Sequence, residues 1–221
     1  MSPAIEFPDN EERQQLRARV LGAIALHKAR HPLQAAIEAA DTVQQCDYLK
    51  LHDAWRDGLL SPHIENLAPA TFAWLRTIDA IRPINDGWNC LPFSTDITPF
   101  RIETATGHYH ALSAIDALAM PALLASNATL HGNCHHCGMA LSHKINLQGG
   151  LDELAIAQFD VITDHADTTA PLCNRRPPSW LLCPDCQSDD QYIRLRLPQA
   201  STIGNAFYGF IGRLRRKLGP I

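Results

Sequence analysis

Two cysteine pairs constrain the fold of this chain more than any other feature of its sequence. Cys134 and Cys137 form one CxxC pair, Cys183 and Cys186 form another, and 45 residues (138–182) separate them. The CxxC spacing lets a tight turn point both sulfurs at one centre, and two such turns complete a tetrahedron around a zinc ion. If the pairs share one ion, the intervening segment must leave the site and return to it, so it must contain at least a hairpin.

The residues around both pairs favour tight turns, because Gly138 directly follows the first pair and Pro184 lies within the second. The sequence therefore predicts a structural zinc site with four cysteine ligands, and His131, His135 and His136 are reserve ligands. The alternative is four free thiols. A thioredoxin-like redox role is disfavoured, because neither pair opens a helix in a βαβ unit.

Composition limits the class of protein and its partners. The 221 residues are 46% apolar and 19% charged, which is typical of a globular protein with one sizeable core or a small domain docked on a larger one. The net charge of -4 argues against a nucleic acid partner, and no apolar window is long enough to span a membrane. The N-terminus lacks the pattern of a secretory signal, so we expect a cytoplasmic protein. In that reducing compartment its seven cysteines should be thiols or metal ligands, and the expected partner is a small molecule or a metal ion.

The first part of the chain, residues 1–82, is predicted to be a helical module that resembles a winged helix. Its first helix shows an apolar stripe that contains Leu16, Val20 and Ile24. The predicted helices cover 11–30, 33–46, 48–57 and 69–81. The stretch 83–99 is rich in turn residues, including Asn-Asp-Gly and three prolines, and we place the domain boundary near its start.

Residues 83–221 are predicted to form an α+β domain with a mostly antiparallel sheet and flanking helices. Alternating apolar residues predict strands at 100–104, 129–134, 139–147, 157–163 and 191–197. Helices are predicted at 111–124 and 203–218. The domain would therefore bury one sheet face against helices and would contain the four-cysteine site.

Ser113 and Asp116 mark the start of the helix predicted at 111–124. Their spacing of three is that of a helix N-cap followed by an acid, and spacing alone favours this capping role. The same spacing also places both side chains on one helix face, where they could act on one ligand. Leu112, Ile115 and Leu118 surround them, and apolar surroundings favour the protonated form of a carboxylic acid.

The segment 109–123, Tyr-His-Ala-Leu-Ser-Ala-Ile-Asp-Ala-Leu-Ala-Met-Pro-Ala-Leu, resembles the signature segment of the alkylmercury (organomercurial) lyase family. That segment reads Tyr-Ala-Trp-Cys-Ala-Leu-Asp-Thr-Leu in the family and is soon followed by Pro-Ala-Leu. The resemblance extends to Cys134 after the next strand, to Leu182-Cys183, and to a closing helix that contains Ile203-Gly-Asn-Ala-Phe207. It implies the fold of the family, with a helical N-terminal module before the lyase domain.

The resemblance also implies roles for particular residues. In the family, two thiolates capture the mercury of an organomercurial and an aspartate delivers a proton to the carbon. By this resemblance Asp116 would be the proton donor and Cys183 the main thiolate, while Ser113 stands where the family has its first cysteine. A hydroxyl is a hard ligand and a poor trap for mercury. Cys137 and Cys186 lie outside the pattern of the family.

Two functional hypotheses follow. In the first, the protein cleaves a carbon–metal bond, with Asp116 as the proton donor and Cys183 as the main thiolate, assisted by Ser113, Cys134 or Cys186. In the second, the lyase fold has lost its nucleophile and has acquired a structural zinc site, so that the protein is a zinc-stabilised binding or accessory protein. The two hypotheses differ in whether Cys183 is free, because a thiolate in a closed tetrahedral site cannot also trap mercury.

Overall fold

A seven-stranded antiparallel sheet forms the centre of the molecule. The computed structural model describes residues 10–31, 33–57, 64, 67–84, 87–147, 159–164, 178–189 and 192–219. The strands lie in the order β1-β2-β3-β5-β4-β6-β7. They are β1 (Ile81–Ile84), β2 (Gly87–Cys90), β3 (Phe93–Ser94), β4 (Phe100–Thr104), β5 (Gly107–Ala111), β6 (Ala128–Asn133) and β7 (Ala140–Ile145).

A second sheet of three strands lies beside the end of β6. Its antiparallel strands have the order β10-β8-β9 and are β8 (Asp160–Asp164), β9 (Ser179–Leu182) and β10 (Tyr192–Arg196). The two sheets meet where Cys134, directly after β6, forms a parallel bridge with Leu181 of β9. The backbone amide of His135 donates to the carbonyl of Leu181 at 2.8 Å and reinforces this junction.

Six helices pack around these sheets in the part of the chain that the structure describes. They are α1 (Asn10–Arg30), α2 (Leu33–Ala39), α3 (Thr42–Arg56), α4 (Pro69–Thr77), α5 (Ala114–Leu124) and α6 (Leu197–Leu218). The helix α5 is apolar around its circumference and all but one of its residues are buried. It packs on β4 and β5 on one side and against α6 on the other.

Gly204 explains how closely α5 and α6 approach. A Cβ atom at this position would lie 2.6 Å from the carbonyl oxygen of Ile115, which is well inside van der Waals contact. The absence of a side chain therefore lets the backbones of the two helices meet. This contact brings residues of α6 to the first turn of α5.

The predicted fold class is confirmed, since the molecule is α+β with a mostly antiparallel sheet. Some boundaries differ from the expectation. The helices predicted at 33–46 and 48–57 instead divide at Asp41, whose carboxylate accepts the Gln44 amide at 2.8 Å in a capping box. The three strands β1 to β3 lie mostly within 83–99, which the sequence indicated only as turn-rich, and β1 begins just before the predicted boundary.

The last helix starts earlier than predicted, because Pro198 fits the first turn of a helix, where no amide hydrogen bond is required. None of the helices in the described ranges combines the length and the apolar character that are needed to cross a bilayer.

Candidate functional site

The four cysteines of the two CxxC pairs converge on one point. Their sulfur atoms all lie within 4.8 Å of one another. Cys134 follows β6 and Cys137 lies in the next turn, while Cys183 follows β9 and Cys186 lies in the turn after it. The site is therefore built where the large and the small sheet meet.

Tight turns aim each pair of sulfurs inward. In the first turn the Gly138 amide donates to the Cys134 carbonyl at 3.0 Å, and Gly138 has a φ of 72°, a left-handed conformation that glycine adopts without strain. In the second turn the Cys186 amide donates to the Cys183 carbonyl at 3.2 Å. These are the turns that the sequence predicted from the glycine and the proline.

One sulfur–sulfur distance in the cluster matches the edge of a tetrahedral zinc site. The Sγ atoms of Cys137 and Cys183 lie 3.7 Å apart. A tetrahedron with Zn–S bonds of about 2.3 Å has edges of about 3.8 Å. All four residues are free cysteines, so each can supply a thiolate to a soft or borderline metal ion.

Hydrogen bonds to the sulfurs shift the pKa values of Cys134 and Cys186 in opposite directions. Burial raises the pKa of Cys134, but the backbone amides of Cys137, Cys183 and His136 outweigh it and lower that pKa to about 6. One of these amides, on Cys183, lies 3.4 Å from the Cys134 sulfur. The pKa of Cys186 is raised to about 12, chiefly by sharing a hydrogen bond with Cys183 and then by burial. A bound cation would favour the thiolate form of Cys186, whose raised pKa otherwise favours the thiol.

Aromatic rings pack beside the first cysteine turn. The ring of His135 stacks on Trp180 with centroids 4.8 Å apart, and Tyr192 meets Trp180 edge-on at 5.6 Å. The group of possible metal ligands contains the four cysteines and no histidine among the residues that the structure describes. His135 thus packs on Trp180 of the small sheet, beside the four cysteines.

Ser113 and Asp116 lie together at the start of α5. The Ser113 hydroxyl is the N-cap, since its oxygen accepts the Asp116 amide at 3.3 Å, and its proton is donated to the Asp116 Oδ2 at 2.8 Å. Asp116 is fully buried, with 0% of its surface exposed. Ser113 therefore caps the helix, as its spacing from Asp116 predicted. The side chains of Ser113 and Asp116 also form a hydrogen bond that this spacing alone does not require.

Tyr208 is the site residue that the sequence did not indicate. Its hydroxyl donates to the Asp116 Oδ1 at 2.7 Å from α6, and the residues are 92 positions apart. Both carboxyl oxygens of Asp116 thus accept a hydroxyl proton. Tyr208 lies among the buried residues of α6, and its position in the sequence does not distinguish it from an ordinary core residue. Only the packing of the helices reveals this contact.

The first turn of α5 and the thiols meet β9 at opposite ends. The Ser179 hydroxyl, on the first residue of β9, accepts the amide of Ile115 in α5 at 2.9 Å. Cys183 follows the last residue of the same strand, about 13 Å of extended chain further on. The structure therefore joins Ser113 with Asp116 and joins Cys183 with the other cysteines.

The remaining cysteines lie away from both groups or outside the described residues. Cys90 is buried, and burial raises its pKa to about 12, as suits a core residue. Cys46 is half-buried on α3. Cys173 lies outside the described residues.

Comparisons with known proteins identify the fold. The family model described as alkylmercury lyase matches residues 93–176, which include Ser113, Asp116 and the first cysteine pair. A solved structure described as the mercury-bound form of MerB2 has a TM-score of 0.61 and 17% identity, and the match covers 85% of this chain and 99% of that chain. No curated protein matches the chain. The predicted resemblance to the alkylmercury lyase family is confirmed in sequence over the matched segment and in fold over most of the chain.

Proposed function

Because the chain has the fold of the alkylmercury lyases and gathers four thiols at one point, we propose that it is a soft-metal-binding protein of this fold. Cys134, Cys137, Cys183 and Cys186 hold one structural zinc ion. The protein then acts as a zinc-stabilised binding or accessory protein that does not cleave a carbon–metal bond. The convergence of the four sulfurs within 4.8 Å carries this proposal.

Four thiolates complete the coordination shell of zinc and leave no position for a substrate. The ion would hold the turn after β6 against the turn after β9, and so would tie the two sheets together. Cys183 would then be a zinc ligand and could not also capture mercury. Ser113 and Asp116 would remain a helix cap and an anchor for α6.

The thiols indicate where the protein is located, and its net charge limits what it binds. Four free thiols persist in a reducing compartment, so we propose a cytoplasmic protein. Its ligand is a metal ion or a small molecule and not a nucleic acid, because the net charge is -4.

A second candidate is protonolysis of a carbon–metal bond in a small organometallic compound. It is supported by Asp116, which is fully buried and receives hydrogen bonds from two hydroxyl groups, an environment that orients a carboxyl group. In this case Asp116 donates the proton and Cys183 is the main thiolate, with Ser113, Cys134 or Cys186 assisting. This chemistry requires Cys183 to be free of zinc.

Metal analysis of the full chain purified without chelator tests the main proposal. We expect one zinc per chain, and Cys186→Ser should lose the ion and several kcal/mol of stability. The matched control is Cys46→Ser, which changes a half-buried cysteine outside the cluster and should keep the zinc. A metal-free protein, or a Cys186→Ser variant with the unfolding curve of the control, would overturn the proposal.

An assay for hydrocarbon release from an alkylmercury compound tests the second candidate. Release that Asp116→Asn abolishes, while the fold persists, would favour catalysis. The main proposal predicts no release from the unmodified zinc-loaded protein.

A further inference from the structure

The four sulfurs of the cysteine cluster differ sharply in their access to solvent. Cys137 is exposed and Cys186 is half-buried. Cys134 and Cys183 have only 3% and 1% of their surface exposed. A reagent in solution therefore reaches the sulfur of Cys137 first.

Cys137 also lies beside a buried sulfur from the other turn. Its Sγ is 3.7 Å from the Sγ of Cys183, so closing a disulfide of about 2.05 Å requires the atoms to approach by about 1.7 Å. Cys134, the other member of the first pair, has a sulfur that accepts the Cys183 backbone amide at 3.4 Å. The exposed Cys137 and the buried Cys183 beside it thus belong to different CxxC pairs.

From this geometry we infer that Cys137 is an oxidation site that closes onto Cys183 and releases the metal ion. The inference rests on the proposed zinc site and adds its regulation. The oxidant is a peroxide. The Cys137 thiolate attacks one peroxide oxygen, so that an S–O bond forms, the O–O bond breaks, and hydroxide leaves.

The Cys183 thiolate then attacks the sulfur of the Cys137 sulfenic acid. An S–S bond forms, the S–O bond breaks, and a second hydroxide leaves. Two thiolates are oxidised by two electrons and the peroxide is reduced by two, while the zinc ion keeps its charge. Two of the four ligands are lost, so the remaining two thiolates no longer complete a tetrahedral site and zinc dissociates.

Titration of the zinc-loaded full chain with hydrogen peroxide tests the inference. A chromophoric chelator measures released zinc, and peptide mapping identifies the disulfide. We expect one zinc released for each Cys137–Cys183 disulfide. Cys46→Ser should behave as the unmodified protein, because that cysteine lies outside the cluster. A disulfide within either CxxC pair, or zinc release without a Cys137–Cys183 bond, would overturn the inference.

A second measurement uses the unmodified protein and needs no variant. Substoichiometric N-ethylmaleimide is added to the zinc-loaded chain, and we expect its first adduct on Cys137, roughly tenfold faster than on any other cluster cysteine. A first adduct elsewhere would refute the inference. Zinc content is measured before either reagent is added, so absence of zinc refutes the proposed metal site. A wrong disulfide or adduct in a zinc-loaded protein refutes only the inference about Cys137.

Discussion

Removal of one hydroxyl group from α6 tests whether Tyr208 anchors the helix that carries Asp116. In Tyr208→Phe the ring stays and the 2.7 Å hydrogen bond to the Asp116 Oδ1 is lost. Both residues are buried, with exposed fractions of 1% and 0%, so water cannot replace the missing donor without opening the packing between α5 and α6. The carboxyl group therefore loses a hydrogen-bond donor that nothing in the intact packing replaces.

Loss of a buried hydrogen bond to a carboxyl group costs about 1 to 3 kcal/mol. For a protein of 150 to 250 residues each kcal/mol lowers the melting temperature by about 2 to 4 °C, so we expect a decrease of roughly 2 to 12 °C. The same substitution at Tyr48 provides the matched control. Tyr48 is fully buried on α3, and its hydroxyl has no hydrogen-bond partner among the described residues.

Tyr48→Phe should leave the free energy of unfolding unchanged or raise it, because it removes a polar atom that is buried without a partner. Urea unfolding at pH 7, followed by far-UV circular dichroism, gives both values under one condition. Equal free energies of unfolding for the two variants would refute the assignment of the Tyr208 contact as an anchor.

Three further predictions concern buried groups elsewhere. Burial lowers the pKa of His52 to about 3, so only the unfolded chain binds this proton between about pH 6.5 and 3. The free energy of unfolding should therefore decrease by up to about 1.4 kcal/mol for each pH unit by which the pH is lowered through this range. An equal slope in His52→Gln would contradict this. Gly204→Ala should destabilise the fold by about 1 to 3 kcal/mol, because the added Cβ clashes with the Ile115 carbonyl. Gly209→Ala is the control and should be neutral or stabilising, because the atom nearest to its added Cβ belongs to a flexible guanidinium at 3.9 Å. Ser113→Ala should cost about 0.5 to 2 kcal/mol by removing the N-cap of α5, and an unchanged urea midpoint would count against that role.

Short sequence patterns predicted the helices and strands that are defined by residues close together in the chain. Ser113 marked the start of α5 because a hydroxyl at the N-cap satisfies an amide three residues later, and the structure contains this bond. Alternation of apolar residues predicted β4 and β10 closely, since one face of each strand is more buried.

Strands without such signals were missed. β3 has two residues, and β1 and β2 are joined by the Asn-Asp-Gly stretch, so their neighbours in the sheet stabilise them more than their own sequence does. β9 was missed for a related reason, because Trp180, Leu181 and Leu182 form a short apolar run without alternation.

The sequence by itself determined which atoms could form a metal site, because the two CxxC pairs and their turn residues fix the local geometry of each pair. It also determined the cap of α5. Only the tertiary structure decided that Tyr208 contacts Asp116, that Cys137 is the exposed residue of the cluster, and that Cys183 and the first turn of α5 meet β9 at opposite ends. These features depend on how helices and sheets pack over long sequence separations, and the free energy of that packing is shared among many residues that no single motif records.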